Sequence, residues 1–144
     1  MPTPSRRVAV VGLGPIGRKV VEALDQGIDG LVLAAVSVQD PPKHGDFLAG
    51  LKRAPVVLPI DDLCAAADIV IECAPSKLVR SIVIPFVSRG KTAIVLSVGA
   101  LLENEDLIAL AKQNGGQIVV PTGALIGLDA VTAAAEGKIQ SSGW

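Results

Sequence analysis

Apolar residues in this chain fall into two patterns that alternate from the N-terminus onward. Nearly unbroken aliphatic runs occur at Arg7 to Gly12, Leu31 to Val38, Asp68 to Cys73, Thr92 to Ser97 and Gln117 to Pro121. Runs of this kind, bounded by turn residues, read as strands buried on both faces. Between them the apolar positions recur at helical spacing. Ile16, Val20, Val21 and Leu24 form one stripe on a helix from about Pro15 to Asp25, leaving Arg18, Lys19 and Glu22 on the other face. Further helices are expected over Asp46 to Lys52, from an Asp61 cap through Ala67, over Ser76 to Arg89, and over Asn104 to Gln113. Pro85 should kink or split the helix that contains it. Asn114-Gly115-Gly116 closes the last one. Pro41-Pro42 argues against regular structure there, and Pro55-Val56-Val57-Leu58-Pro59 reads as an edge strand flanked by prolines.

Six strands alternating with helices define an α/β fold: a doubly wound, six-stranded parallel sheet, expected in the order 3-2-1-4-5-6. Composition sharpens this picture. Half of the 144 residues are hydrophobic, yet only Phe47, Phe86 and Trp144 are aromatic, so the core must be aliphatic. Charged residues make up 19%, which fits strands covered by helices on both sides. After Pro121 the text changes character. An Ala-rich helix is expected to end near Gly137, and Lys138-Ile139-Gln140-Ser141 resembles the start of another strand. The expected division is residues 1–122 as one domain and residues 123–144 as the start of a second, truncated one.

Charge and cysteine content exclude several classes. The formal net charge is −1 and no basic run occurs, so neither nucleic acid nor an anionic membrane is an expected partner. No apolar run reaches the ~18 residues of a membrane helix, and no signal peptide is expected. Cys64 and Cys73 are isolated and read as free thiols in a reducing cytoplasm. No cluster of His, Cys and carboxylate has metal-ligand spacing, and His44 is the single histidine.

The first strand runs directly into Gly12-Leu13-Gly14-Pro15-Ile16-Gly17 and then into a helix. This Gly-x-Gly-x-x-Gly in its strand–turn–helix context matches the dinucleotide-binding turn of a Rossmann fold. Gly12 would allow the tight turn, Gly14 the close approach of a pyrophosphate, and Gly17 the packing of helix on sheet. After Pro15, which has no N–H of its own, the helix N-terminus would offer its unpaired backbone N–H groups to the phosphates. In an open parallel sheet, ligands lie outside the carboxyl ends of the strands. The other candidate loops are therefore Ala74-Pro75-Ser76, Ser97-Val98-Gly99-Ala100 and Thr122-Gly123-Ala124, all built from small residues.

An NAD-selective site usually places Asp or Glu at the end of the second strand, where this chain has Ser37-Val38-Gln39-Asp40. Ser37 would not repel a 2′-phosphate, no arginine adjoins it in sequence, and Asp40 reads as the start of the Pro41-Pro42 turn. NAD and NADP are both left open, and tolerance of both is expected. No acid–base catalyst is assigned. His44 reads as a surface residue in a solvated loop, and Glu72 as structural or ribose-contacting.

The segments Gly12 to Gly17, Leu96-Ser97-Val98-Gly99-Ala100-Leu101 and Pro121-Thr122-Gly123-Ala124-Leu125-Ile126-Gly127-Leu128-Asp129-Ala130 together resemble the L-aspartate dehydrogenases. The resemblance extends to about Gln140 and covers only the first half of a family member. It implies oxidation of L-aspartate with NAD or NADP to iminoaspartate, which hydrolyses to oxaloacetate and ammonia or feeds nicotinamide cofactor synthesis. It also implies that Ala124 contacts the cofactor near its nicotinamide end. Thr122 departs from the serine expected there. The family's catalytic histidine, an asparagine that contacts NAD, the substrate pocket and most of the dimer interface belong to a second domain that no position here matches. Cofactor binding without dehydrogenase activity, and self-association through exposed apolar surface, are therefore expected. The alternatives are a non-catalytic dinucleotide-binding module and a relative of homoserine dehydrogenase or dihydrodipicolinate reductase.

Overall fold

The computed structural model describes residues 6–28, 30–74 and 76–120. Six parallel strands lie in the order β3-β2-β1-β4-β5-β6. They are β1 (Arg6–Val11), β2 (Leu31–Ser37), β3 (Val56–Val57), β4 (Ile69–Glu72), β5 (Thr92–Val95) and β6 (Gln117–Val119). The helices are α1 (Pro15–Gln26), α2 (Gly45–Ala49), α3 (Leu63–Ala66), α4 (Val79–Val87), α5 (Val98–Leu102) and α6 (Asp106–Asn114). The doubly wound fold and its strand order are those expected from the alternation. The expectations for residues 121–144, including Ala124 and the second domain, lie outside the described residues.

The strand period of two divides the core. Ala9, Val11, Ala35, Val70, Ala93 and Val95 share one cluster with Leu63, Val79, Val83, Phe86 and Leu107. Val8, Val10, Val36, Ile69, Ile71 and Ile94 face the opposite way, toward Val20, Val21, Leu24 and Leu48. Alternate side chains of each central strand thus enter separate helix-covered layers, which explains why the strands read as nearly unbroken apolar runs.

Some boundaries differ from the sequence reading. Pro41 and Pro42 do not forbid structure; they open a 3-10 turn, Pro41–His44, that leads into α2. Proline suits the first positions of such a turn because those N–H groups have no internal acceptor. Asp61 does not cap a helix. It sits inside a 3-10 turn, Ile60–Asp62, and no side chain caps either that turn or α3. Pro85 neither splits α4 nor ends it, for the helix runs on to Val87. The one backbone bond that proline forgoes would have reached Ser81, which is exposed. A short α5 follows β5 where a loop was expected. Gly115 adopts a left-handed conformation (φ 72°) and closes α6 as expected.

Register places the site. Val11 pairs with Ser37 on one side and with Glu72 on the other, and Glu72 pairs with Val95. The carboxyl ends of β2, β1, β4 and β5 therefore finish in one row, and the loops leaving them share one edge of the sheet.

Candidate dinucleotide site

The three glycines of the first loop meet different surroundings. Gly12 has φ +94°, and a Cβ on it would stand 2.5 Å from the Cys73 carbonyl oxygen. Its N–H donates to the Ser37 carbonyl at 2.9 Å, while Cys73 N–H donates to the Val11 carbonyl at 2.8 Å. Gly12 thus sits where β1 is squeezed between its neighbours. A Cβ on Gly17 would run into the Gly12 carbonyl group, so α1 can lie on the turn only if residue 17 lacks one. Gly14 has nothing within 4 Å of its would-be Cβ, and its φ of −72° is open to any residue. It is the N-cap of α1, with Pro15 behind it and no side chain capping the helix.

This helix start borders a cleft of about 990 Å³. Gly12, Gly14, Pro15, Ser37 and Ala74 line it, as do Arg18, Val38, Gln39, Asp40, Lys43, His44, Asp61 and Cys73. Five predicted site residues are thereby brought together. Ile16 is 42% exposed on the first turn of α1, and Gly17 is buried beneath it; neither lines the cleft. Ser97 and Gly99 also lie outside the lining, and Pro75 and Ala124 are not among the described residues. Ser37 is only 5% exposed, whereas Val38 and Gln39 after it are progressively more open.

Two parts of the site escaped the sequence reading. The first is Arg18. Its Nε–H donates to the Leu13 carbonyl at 3.1 Å, its Nη2 lies 3.1 Å from His44 Nδ1, and its guanidinium stands 4.9 Å from the Phe47 ring centre. An arginine therefore does share the wall with Ser37, although none is near it in sequence. His44 is likewise half-buried in the cleft rather than on an open surface loop. Arg18 lies on the polar face of α1 by its helical spacing, and the Pro41–His44 turn brings His44 to it from 26 positions away.

The second is the network around Glu72, which is fully buried in β4. Its Oε1 accepts the backbone N–H groups of Leu96 (3.0 Å) and Ser97 (2.8 Å). Its Oε2 accepts the Ala74 N–H (3.1 Å) and the Ser97 hydroxyl (2.8 Å). Glu72 has the structural role that was one of its two readings. Burial pushes its carboxyl above the ordinary range, and the bonds from Ser97, Leu96 and Ala74 pull against that. The adjacent Cys73 thiol is pushed up to about 12 by burial and by the nearby Glu72 charge. Among the described residues no group of three or more His, Cys, Asp or Glu could hold a metal ion.

An uncapped helix N-terminus, an unfilled position at Gly14 and a cleft along the carboxyl edge of the sheet are the features of a dinucleotide-binding domain. The family described as homoserine dehydrogenase, NAD binding domain, matches residues 12–121, and the chain belongs to that family. It is 64% identical over 135 residues to an L-aspartate dehydrogenase of Bradyrhizobium diazoefficiens, covering 94% of this chain and 48% of that protein. It is 52% identical over 135 residues to L-aspartate dehydrogenase 3 of Bordetella bronchiseptica, covering 93% and 50% respectively. The chain spans about half the length of these curated relatives. A homoserine dehydrogenase from Thiobacillus denitrificans superposes with a TM-score of 0.69 at 18% identity, over 83% of this chain and 30% of that one, which shows the shared fold.

Proposed function

We propose that the chain is the cofactor-binding part of an L-aspartate dehydrogenase-like oxidoreductase, holding NAD or NADP along the cleft. Gly14 carries this reading. Packing accounts for Gly12 and Gly17, but nothing among the described residues approaches the would-be side chain at Gly14. A pyrophosphate seated on the α1 N-terminus accounts for its absence. Gly12, Gly14, Pro15, Ile16 and Gly17 are assigned to the phosphate turn, Ser37 to the adenosine ribose, and Ala74, Ser97 and Gly99 to the nicotinamide end, with Pro75 and Ala124 assigned there from the sequence alone.

The nicotinamide, once bound, supplies a hydride acceptor for the Cα–H of L-aspartate, giving iminoaspartate as the amine loses its proton. The groups that hold the two substrate carboxylates and take that proton are assigned outside residues 1–122, with residues 123–144 starting the unit that supplies them. The chain by itself is expected to bind cofactor without reducing it in the presence of L-aspartate. A cytoplasmic location, a link to nicotinamide cofactor synthesis and self-association follow the same reading. The similarity to homoserine dehydrogenase domains supports a related amino-acid substrate as the second reading.

Calorimetric titration of the chain and of Gly14→Asp with NADH and NADPH tests the proposal. Asp is a favourable N-cap and meets open space, so the variant should fold with unchanged stability. Its charge should abolish binding. A folded variant that binds as well as the parent would sink the reading.

A further inference from the structure

Arg18 lies on the cleft wall with no carboxylate partner among the described residues, although Asp40 and Asp61 line the same cleft. A half-buried guanidinium held by three contacts is a fixed positive charge. Arginine offers only donors, so His44 Nδ1 must accept the Arg18 N–H, which places the imidazole proton on Nε2. The same contact leaves that Nε2–H as a further donor. Lys43, the neighbour of His44 in the Pro41–His44 turn, is exposed at the cleft and forms no ion pair among the described residues.

These donors line the same cleft as the end of β2. Ser37, Val38 and Gln39 carry no charge, and the first carboxylate after the strand, Asp40, comes three residues past Ser37. Asp40 and Asp61 are exposed. The Asp40 carbonyl accepts the Lys43 N–H at 3.1 Å, which turns Lys43 and His44 back over the cleft.

We infer that the adenosine end of this cleft selects a 2′-phosphorylated dinucleotide, NADP over NAD, with Arg18 as the fixed counter-ion and Lys43 and His44 Nε2–H completing the phosphate site. The inference rests on the reading of the cleft as the cofactor site. It replaces the expectation of equal tolerance with a preference. One retained charge-assisted bond is enough for about a tenfold difference in affinity.

The test is calorimetric titration of the chain with NADP and NAD, and with the fragments adenosine 2′,5′-bisphosphate and 5′-AMP, at low and moderate salt. NADP is expected to bind at least about tenfold tighter at low salt, with the bisphosphate tighter than AMP and the margin shrinking as salt rises. Lys43→Ala, an exposed change without packing cost, should lower NADP affinity more than NAD affinity. Equal or tighter NAD binding would overturn the preference while leaving the cofactor site intact, as would a Lys43→Ala variant that weakens both dinucleotides alike. Binding of neither dinucleotide would overturn the cofactor site as well.

Discussion

Ser97 gives Glu72 two hydrogen bonds of 2.8 Å, one from its backbone N–H to Oε1 and one from its hydroxyl to Oε2. With the Ala74 N–H on Oε2, this single carboxylate ties together the loops that leave β4 and β5. A fully buried acid is costly unless its lone pairs are filled, and here both oxygens accept two donors.

Glu72→Gln keeps the shape and removes half of that arrangement. The amide oxygen can take Leu96 N–H and Ser97 N–H. The amide nitrogen then faces the Ser97 hydroxyl, which can turn round and accept, and the Ala74 N–H, which cannot. One half-buried donor left without its acceptor should cost about 1 kcal/mol. Urea unfolding should show that loss, and dinucleotide affinity should fall with it because Ala74 lines the cleft. Unchanged stability would mean that the network does not hold the loops.

Two carboxyls give the stability–pH profile opposite slopes. Burial raises Asp68, but the Arg7 backbone and side-chain bonds and the Arg7 and Lys91 charges outweigh it, so its folded value is depressed. Its contribution is present above the unfolded carboxylate range and is lost as pH falls through the folded value. Glu72 is raised, chiefly by burial, so its contribution is full below the unfolded value and declines as pH rises through the folded one. Thermal melts of Asp68→Asn should lose the acid-side decline, and melts of Glu72→Gln should lose the fall on the rising side. A Glu72→Gln profile parallel to the parent would contradict the assignment.

Gly17→Ala should be severely destabilising because its methyl group meets the Gly12 carbonyl, which is backbone and cannot step aside. Gly12→Ala adds a strained positive φ to a 2.5 Å approach on Cys73. Each should cost several kcal/mol, roughly 3 or more. Circular dichroism melts check this, and a Gly17→Ala chain melting near the parent would require a different turn.

Cys73 should resist alkylation despite its place on the cleft wall. A thiol near 12 holds a thiolate fraction at pH 8 roughly a thousandfold below that of an ordinary cysteine. Iodoacetamide labelling followed by mass spectrometry of the native chain should leave Cys73 unmodified until the protein unfolds. Rapid native labelling would show a more open thiol than the packing allows.

The doubly wound fold was legible because its signals are local. Two-sided strands read as unbroken apolar runs, and Gly115 stops α6 through its own backbone freedom. The phosphate turn was legible for the same reason, since Gly12 to Gly17 are contiguous. What stayed hidden depends on pairs distant in sequence. Arg18 and His44 are 26 positions apart and meet only because two prolines start a turn instead of preventing one. Glu72 and Ser97 are 25 apart, joined by register between β4 and β5. The expected Asp61 cap and a split at Pro85 are not found: no side chain caps α3, and α4 runs past its proline to Val87.

The position of β1 between β2 and β4 also has a consequence in time. β1 is made before the other described strands, but its second neighbour follows some 61 positions later, at the Arg7–Asp68 contact. Contacts so distant in sequence form late and slowly compared with local ones. Until β4 arrives, Gly12 has no Cys73 beside it, and the glycine turn is a loose bend with one wall missing. A chain emerging from the ribosome therefore carries the whole phosphate motif well before it can grip a phosphate.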